Sequence, residues 1–161
     1  MKKIILDTSI CIDLYNGKLC EAVLQLPYEF VLPDVIVAEL KKPPGVLLLK
    51  LGFTEEGISG EEIKNIFVLR NKYAEPSTND LFALLLAKRD ACYLITGDNA
   101  LRNAAKQEGV ATHGIFFLLD SLVKNEILTK ANAANALERI IAEGSWLPKK
   151  ECEERFKKWR R

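Results

Sequence analysis

Residues 93–105 read YLITGDNALRNAA, and the way this stretch divides decides the architecture. Tyr93, Leu94 and Ile95 form a short continuous apolar run bounded by Thr96 and Gly97, the pattern of a strand buried on both faces. From Asn99 onward the apolar residues Leu101, Ala104 and Ala105 fall at helical spacing until Gly109 closes the helix. Asp98 stands at the junction, where a carboxylate suits the N-cap of the helix that follows. A buried strand that passes through an aspartate straight into a helix is one step of a strand–helix alternation, and such alternation implies a parallel sheet covered on both faces.

The same step recurs along the chain. KKIILD, residues 2–7, is an apolar run ending in Asp7, and the helical TSICIDLYNG after it stops at Gly17. EFVLPDVIVAELKK, 29–42, runs as a strand through Leu32, with Asp34 the expected N-cap of a helix that PPG ends. Two helices follow: SGEEIKNIFVLRNKYA, with Ser59 and Glu62 in capping-box spacing, and PSTNDLFALLLAKRD, with Ser77 and Asp80 again three apart. The body of the second is almost wholly apolar, which predicts a helix buried against the sheet. VATHG is a last short strand, and three helices in series complete the chain, of which the final KKECEERFKKWRR reads as a loosely attached tail.

Bulk composition narrows the class without naming a function. At 161 residues, 48% hydrophobic and 28% charged, the chain is one globular domain with a core that needs no staples. Cys11, Cys20, Cys92 and Cys152 show no C-x-x-C spacing and read as free thiols of a reducing, cytoplasmic protein. The opening MKKIILDTS is neither signal peptide nor membrane span, and no later run reaches the roughly 18 apolar residues a span needs. A net charge of +1 gives no global attraction to nucleic acid, so any such argument must be local.

Four acids provide the local argument. Asp7 and Asp98 fall just past strand ends, and ligands of open parallel sheets bind at that edge. Glu39 lies within VIVAEL, an apolar neighbourhood for an unpaired acid, and Asp80 lies in the first turn of the apolar helix. Singly, each has a plainer reading as a cap or a solvated helix residue. Gathered together, four carboxylates repel one another and persist only by sharing protons or holding a cation. With oxygen donors alone, that cation is hard, Mg²⁺ or Mn²⁺ rather than zinc. Carboxylate-bound metal of this kind suits phosphodiester hydrolysis.

The ordered fragments IILDTS, VIVAEL, STNDLFALLLAK and YLITGDNALR resemble the PIN-domain ribonucleases, a family that includes the VapC toxins of toxin–antitoxin pairs. The resemblance covers about residues 3–125. It implies a three-layer α/β/α sandwich for residues 1–125, with 126–161 a C-terminal helical extension packed on the same domain. It also implies a catalytic, metal-binding quartet of Asp7, Glu39, Asp80 and Asp98, with Ser9 and Thr96 supporting the acids or waters of the site. The activity implied is Mg²⁺- or Mn²⁺-dependent cleavage of single-stranded RNA, possible partners being an antitoxin protein and a second copy in a homodimer. The helices after residue 113 are not typical of the short toxins and match a PIN subgroup with extra C-terminal helices. The alternative is a PIN-like module that binds RNA or protein without cutting. A haloacid-dehalogenase phosphatase would need an aspartate where Ser9 stands, and a receiver domain would need an acidic pair and a late lysine that the chain lacks.

Other residues carry weaker expectations. The cations expected to meet RNA are Lys41, Lys42, Lys88, Arg89 and above all Arg102, whose plainer reading is an ion pair with Asp98 one turn back. FKKWRR at 156–161 combines four cations with two aromatics, a pairing that can grip single strands, although charged termini are common. His113 reads as packed or solvated rather than catalytic, Asp120 as an outer helix residue, and Asp13 and Asp34 as helix-surface and cap residues, either of which could lie near the rim of the site. The apolar runs FFLL, 116–119, and FALLLA, 82–87, read first as core packing, with any surplus apolar surface available to a dimer.

Overall fold

A computed structural model describes residues 1–161. The chain folds as β1 (Lys2–Leu6), α1 (Thr8–Asn16), α2 (Cys20–Val23), β2 (Tyr28–Pro33), α3 (Asp34–Glu39), α4 (Gly45–Leu51), β3 (Thr54–Glu56), α5 (Ile63–Lys72), α6 (Thr78–Asp90), β4 (Tyr93–Ile95), α7 (Asn99–Gln107), β5 (Thr112–His113), α8 (Ile115–Lys124), α9 (Lys130–Ala142) and α10 (Lys149–Trp159). The five strands are all parallel, in the order β3-β2-β1-β4-β5. Ile4, Ile5 and Leu6 are fully buried, as are Leu94 and Ile95, because helices cover both faces of the central strands.

That order fixes where a ligand can sit. From β1 the chain steps outward one way to β2 and β3, then crosses back to β4 and β5 on the other side. The strand order therefore reverses between β1 and β4, and the crevice at such a reversal is where open α/β sheets bind ligands. The two strands stay paired to their ends, the Asp7 amide donating to the Ile95 carbonyl at 3.2 Å.

α6 lies against β1, β2 and β4, with α5 and α7 beside it. Its residues Ala83 to Ala87 are all buried, which explains its unbroken apolar run. α1, α8 and α9 pack together in the other helical layer. One continuous core runs from Ile4 to Trp159, so the last three helices share it.

Local expectations and structure differ at several points. β3 and the short helices α2 and α4 had no clear pattern in sequence. Pro33, not Asp34, occupies the N-cap position of α3, and Asp34 is its first residue. α3 ends at Glu39, with Leu40 already extended, three residues before the PPG that was expected to end it. Ser59 and Glu62 do exchange capping-box hydrogen bonds, but in a turn just ahead of α5. The Ser77–Asp80 box forms at the start of α6 as the spacing predicts. The C-terminal segment is a docked helix rather than a loose tail: Cys152 and Trp159 of α10 are buried, and α10 packs on α9. All four cysteines are free.

α4 starts tight against α3. A Cβ on Gly45 would lie 2.1 Å from the carbonyl oxygen of Val37, a backbone atom with nowhere to move. Gly45→Ala should therefore displace α3, which carries Glu39, and lower stability by about 1–3 kcal/mol. Thermal unfolding checks this, and an unchanged melting temperature would mean that the α3–α4 corner is loose.

Candidate functional site

Asp7 is the best-anchored residue at the crevice. It follows β1, is 1% exposed, and caps α1 by accepting from the Ile10 amide at 3.0 Å. Its Oδ1 also accepts from Ser9 Oγ at 2.7 Å, and its Oδ2 from Thr96 Oγ1, which lies just past β4. Burial pushes its carboxyl up to about 6, against the pull of those three hydrogen bonds, and the charge of Asp80 adds to the rise.

Ser9 and Thr96 stitch the two strand ends together. Ser9 Oγ accepts from the Gly97 amide at 3.1 Å, and Thr96 Oγ1 accepts from the Asp98 amide at 3.0 Å. Asp98 caps α7 as its local sequence predicts, its Oδ1 accepting from the amides of Ala100 and Leu101 at 2.8 and 3.2 Å.

Asp80 reaches the edge from the first turn of α6, half-buried, with its Oδ2 accepting from the Ser77 amide at 3.3 Å. Its carboxyl is raised, first by burial and then, against the Ser77 bonds, by the charges of Asp98 and Glu39. Glu39 is exposed at the end of α3, not buried among apolar residues as its sequence neighbours suggested. Its Oε2 accepts from Asn79 Nδ2 at 2.5 Å and Thr8 Oγ1 at 3.4 Å. Asn79 and Thr8 were missed in the sequence, although each stands next to a quartet acid, in TND and DTS.

Four acids from four separate segments thus sense one another's charge at the sheet's switch point. They are not, however, a tight knot: no three of the chain's His, Cys, Asp or Glu side chains group closely enough to ligate one ion directly. The reason is that each acid is tethered to its own neighbours. One oxygen of each of three carboxylates, Asp98 Oδ2, Asp80 Oδ1 and Glu39 Oε1, accepts no hydrogen bond from the protein. The chemistry of these free oxygens, though not their spacing, suits a hard ion such as Mg²⁺, which takes one or two carboxylates and keeps several waters.

Among the cations, Arg102 does not pair with Asp98. Its guanidinium donates to the Thr96 carbonyl at 3.1 Å, beside the acids. Lys41 and Lys42 are exposed just after Glu39. Lys88 and Arg89 sit at the far end of α6, about 13 Å along the helix from Asp80. There Lys88 pairs with Glu108, and Arg89 with Glu56, Glu62 and Asp90.

His113 is packed as expected, stacked on Phe117 and edge-on to Tyr93, with burial lowering its pKa. Asp120 pairs with Arg155 of α10 at 2.7 Å. Asp34 is exposed. Asp13 departs from expectation: it is 6% exposed rather than on a helix surface, because α9 and the turn after it cover that side of α1. Phe116, Leu118, Leu119 and Ala83 to Ala87 are core residues, so those apolar runs are used within the chain.

The sequence model of the PIN-domain family matches residues 3–161. The chain belongs to the PIN-domain family. The match takes in the C-terminal helices, beyond the 3–125 that the motifs alone suggested. Members of this family are generally nucleases, and PIN domains commonly use divalent metals. No curated protein matches the sequence. Among solved structures, this PIN domain is similar to a PilT N-terminus domain protein from the hyperthermophilic archaeon Sulfolobus solfataricus P2. The two share 19% identity and a TM-score of 0.55, over 75% of this chain and 93% of that one. At that identity the likeness concerns the fold, and it supports the α/β/α sandwich. No helix is long and apolar enough to cross a membrane.

Proposed function

We propose that this PIN domain is a Mg²⁺- or Mn²⁺-dependent endoribonuclease acting on single-stranded RNA, with Asp7, Glu39, Asp80 and Asp98 as its catalytic and metal-holding residues. The observation that carries the reading is electrostatic. Burial is the first cause that raises Asp7 and Asp80, and the charges that add to it are those of other quartet carboxylates, so the crevice concentrates negative charge. Such a site favours a cation.

Within it, Ser9 and Thr96 fix Asp7, Asn79 and Thr8 orient Glu39, and the α7 amides hold Asp98 with one oxygen free. Bound Mg²⁺ or Mn²⁺ would lower the pKa of an attacking water and stabilise charge on the phosphoryl oxygens. Arg102, with Lys41 and Lys42 on the Glu39 side, would take backbone phosphates of the strand and position it across the acids.

A second reading, a PIN module that binds nucleic acid or protein without cutting, is favoured by the spacing of the carboxylates, which do not converge on one direct-coordination point. Cleavage separates the two. Wild-type protein with Mn²⁺ should cut varied single-stranded RNAs, and Asp98→Asn should lower the rate on the order of 10³-fold. RNAs left intact by both proteins would sink the nuclease reading.

The homodimer belongs to the same proposal. Its surface shifts from FFLL and FALLLA to the apolar side chains left exposed, Ile63, Phe67 and Val68 on α5 and Val46 and Leu47 on α4. A toxin role, with an antitoxin as partner and the cytoplasm as its place of action, would be supported by a small antitoxin-like open reading frame immediately upstream of the gene.

A further inference from the structure

A cavity of about 470 Å³ opens beside the quartet at Gly97 and Asn99 and runs under the turn that joins α9 to α10. Its size is that of a small-molecule site, about 300–1,000 Å³. Ile10, Ile115 and Phe116 give it apolar walls. Trp146, at the turn, lines it while 81% exposed, an indole held out where nothing in the chain covers it.

The charges around this cavity are unevenly satisfied. Arg155 is held by both oxygens of Asp120 and lies 4.2 Å over the Phe116 ring, so that pair is spent on structure. Asp13 is different. It is 6% exposed, lines the cavity, enters no ion pair, and has Ser145 as its hydrogen-bonding neighbour. A carboxylate offers about four acceptor positions, so one hydroxyl leaves it with unmet capacity. Arg102 lines the same cavity on the side where it touches the Thr96 carbonyl, next to the acids.

We propose that this cavity is a base-recognition pocket for the nucleotide next to the scissile phosphate, and that it selects bases carrying an amino group over uracil. The proposal rests on the ribonuclease reading for the identity of the ligand. The acids along the cavity, Asp13 and Glu151 among them, repel a phosphate, so the base enters and the phosphate stays outside with Arg102. The base stacks on Trp146, as single-stranded RNA bases do on exposed aromatic rings. Asp13 accepts from the amino edge. Guanine presents two adjacent donors there, adenine and cytosine one amino group each, whereas uracil flanks its one donor with carbonyls that face the carboxylate.

The test needs neither metal nor cleavage. The four nucleoside 5′-monophosphates are titrated into the full chain in EDTA, with binding followed by NMR at the Gly97 and Gly114 amides and the Trp146 indole. Guanosine, adenosine and cytidine monophosphates should bind at least ~10-fold tighter than uridine monophosphate. Asp13→Asn should erase or invert that preference, and Trp146→Ala, at an exposed position that leaves folding intact, should weaken all four about tenfold. Equal binding of all four by wild-type protein, no binding by any, or a preference that survives Asp13→Asn overturns the pocket. If the preference is present but RNA is never cut, the pocket stands and the nuclease reading falls alone.

Discussion

Asp7→Asn should yield a protein that is more stable than the wild type in EDTA at pH 8 and that no longer cuts RNA. The stability half follows from burial. Asp7 is 1% exposed, and its carboxyl is raised from an ordinary 3.8 to about 6. A raised folded-state pKa means that the fold binds the proton more tightly than the unfolded chain does. Stability is therefore highest while Asp7 is protonated, below about pH 4, and falls as pH rises through 6. Two pKa units correspond to about 3 kcal/mol at most. Asparagine never ionises, so it avoids that penalty.

Its amide oxygen keeps the Ile10 and Ser9 bonds, while its NH₂ meets Thr96 Oγ1, which must turn its own proton elsewhere at a cost of roughly 1 kcal/mol. The net gain at pH 8 is about 2 kcal/mol, and it vanishes near pH 4. Asp13 is raised to about 6 as well and Asp80 is also raised, so the wild type's own pH profile mixes several groups and the variant-minus-wild-type difference is the quantity to measure. Melting curves at both pH values, with EDTA and with Mn²⁺, decide the matter. Mn²⁺ should raise the wild type's melting temperature and not the variant's. A variant less stable than wild type at pH 8 would show that Asp7 is a structural cap and not a site acid.

The parts of this site that were legible in sequence are those whose signal is local. Asp98 could be read because the cap of α7, the strand before it and the helix after it are contiguous in YLITGDNALRNAA. Ser77 and Asp80 were readable for the same reason, since a capping box spans only three residues. Asn79 on Glu39, 40 positions apart in the chain, leaves no such trace. The apolar neighbours of Glu39 misled because a six-residue helix buries one side only, and Glu39 stands at its exposed end. Asp13 misled in the opposite sense. Its helix looks amphipathic, and what buries it is α9, more than a hundred residues later. β3, three residues long, is held by pairing to β2 and not by its own composition, TEE.

The same dependence on distant packing governs the last helix. Trp159→Ala should be among the most destabilising single changes in the chain. FKKWRR has the composition of a strand-gripping tail, but Trp159 is 3% exposed within the common core, and Phe156 is packed against that core with Arg160 4.2 Å over its ring. Arg160 also pairs with Glu138 of α9. The aromatics are thus occupied in docking α10, and only the cations face solvent. Removing a buried indole costs about 3–5 kcal/mol, which for a chain of this size lowers the melting temperature by roughly 10 °C. Replacing Lys157 and Lys158 with Gln, both exposed and free of ion pairs, should change it by no more than a degree or two. α10 carries Arg155 and Glu151, and Trp146 precedes it, so loosening this helix also opens the cavity over Asp13. Trp159→Ala should therefore weaken nucleotide binding well below the temperature at which the sheet unfolds. A Trp159→Ala protein that melts like the wild type would restore the free tail and leave its aromatics available to RNA.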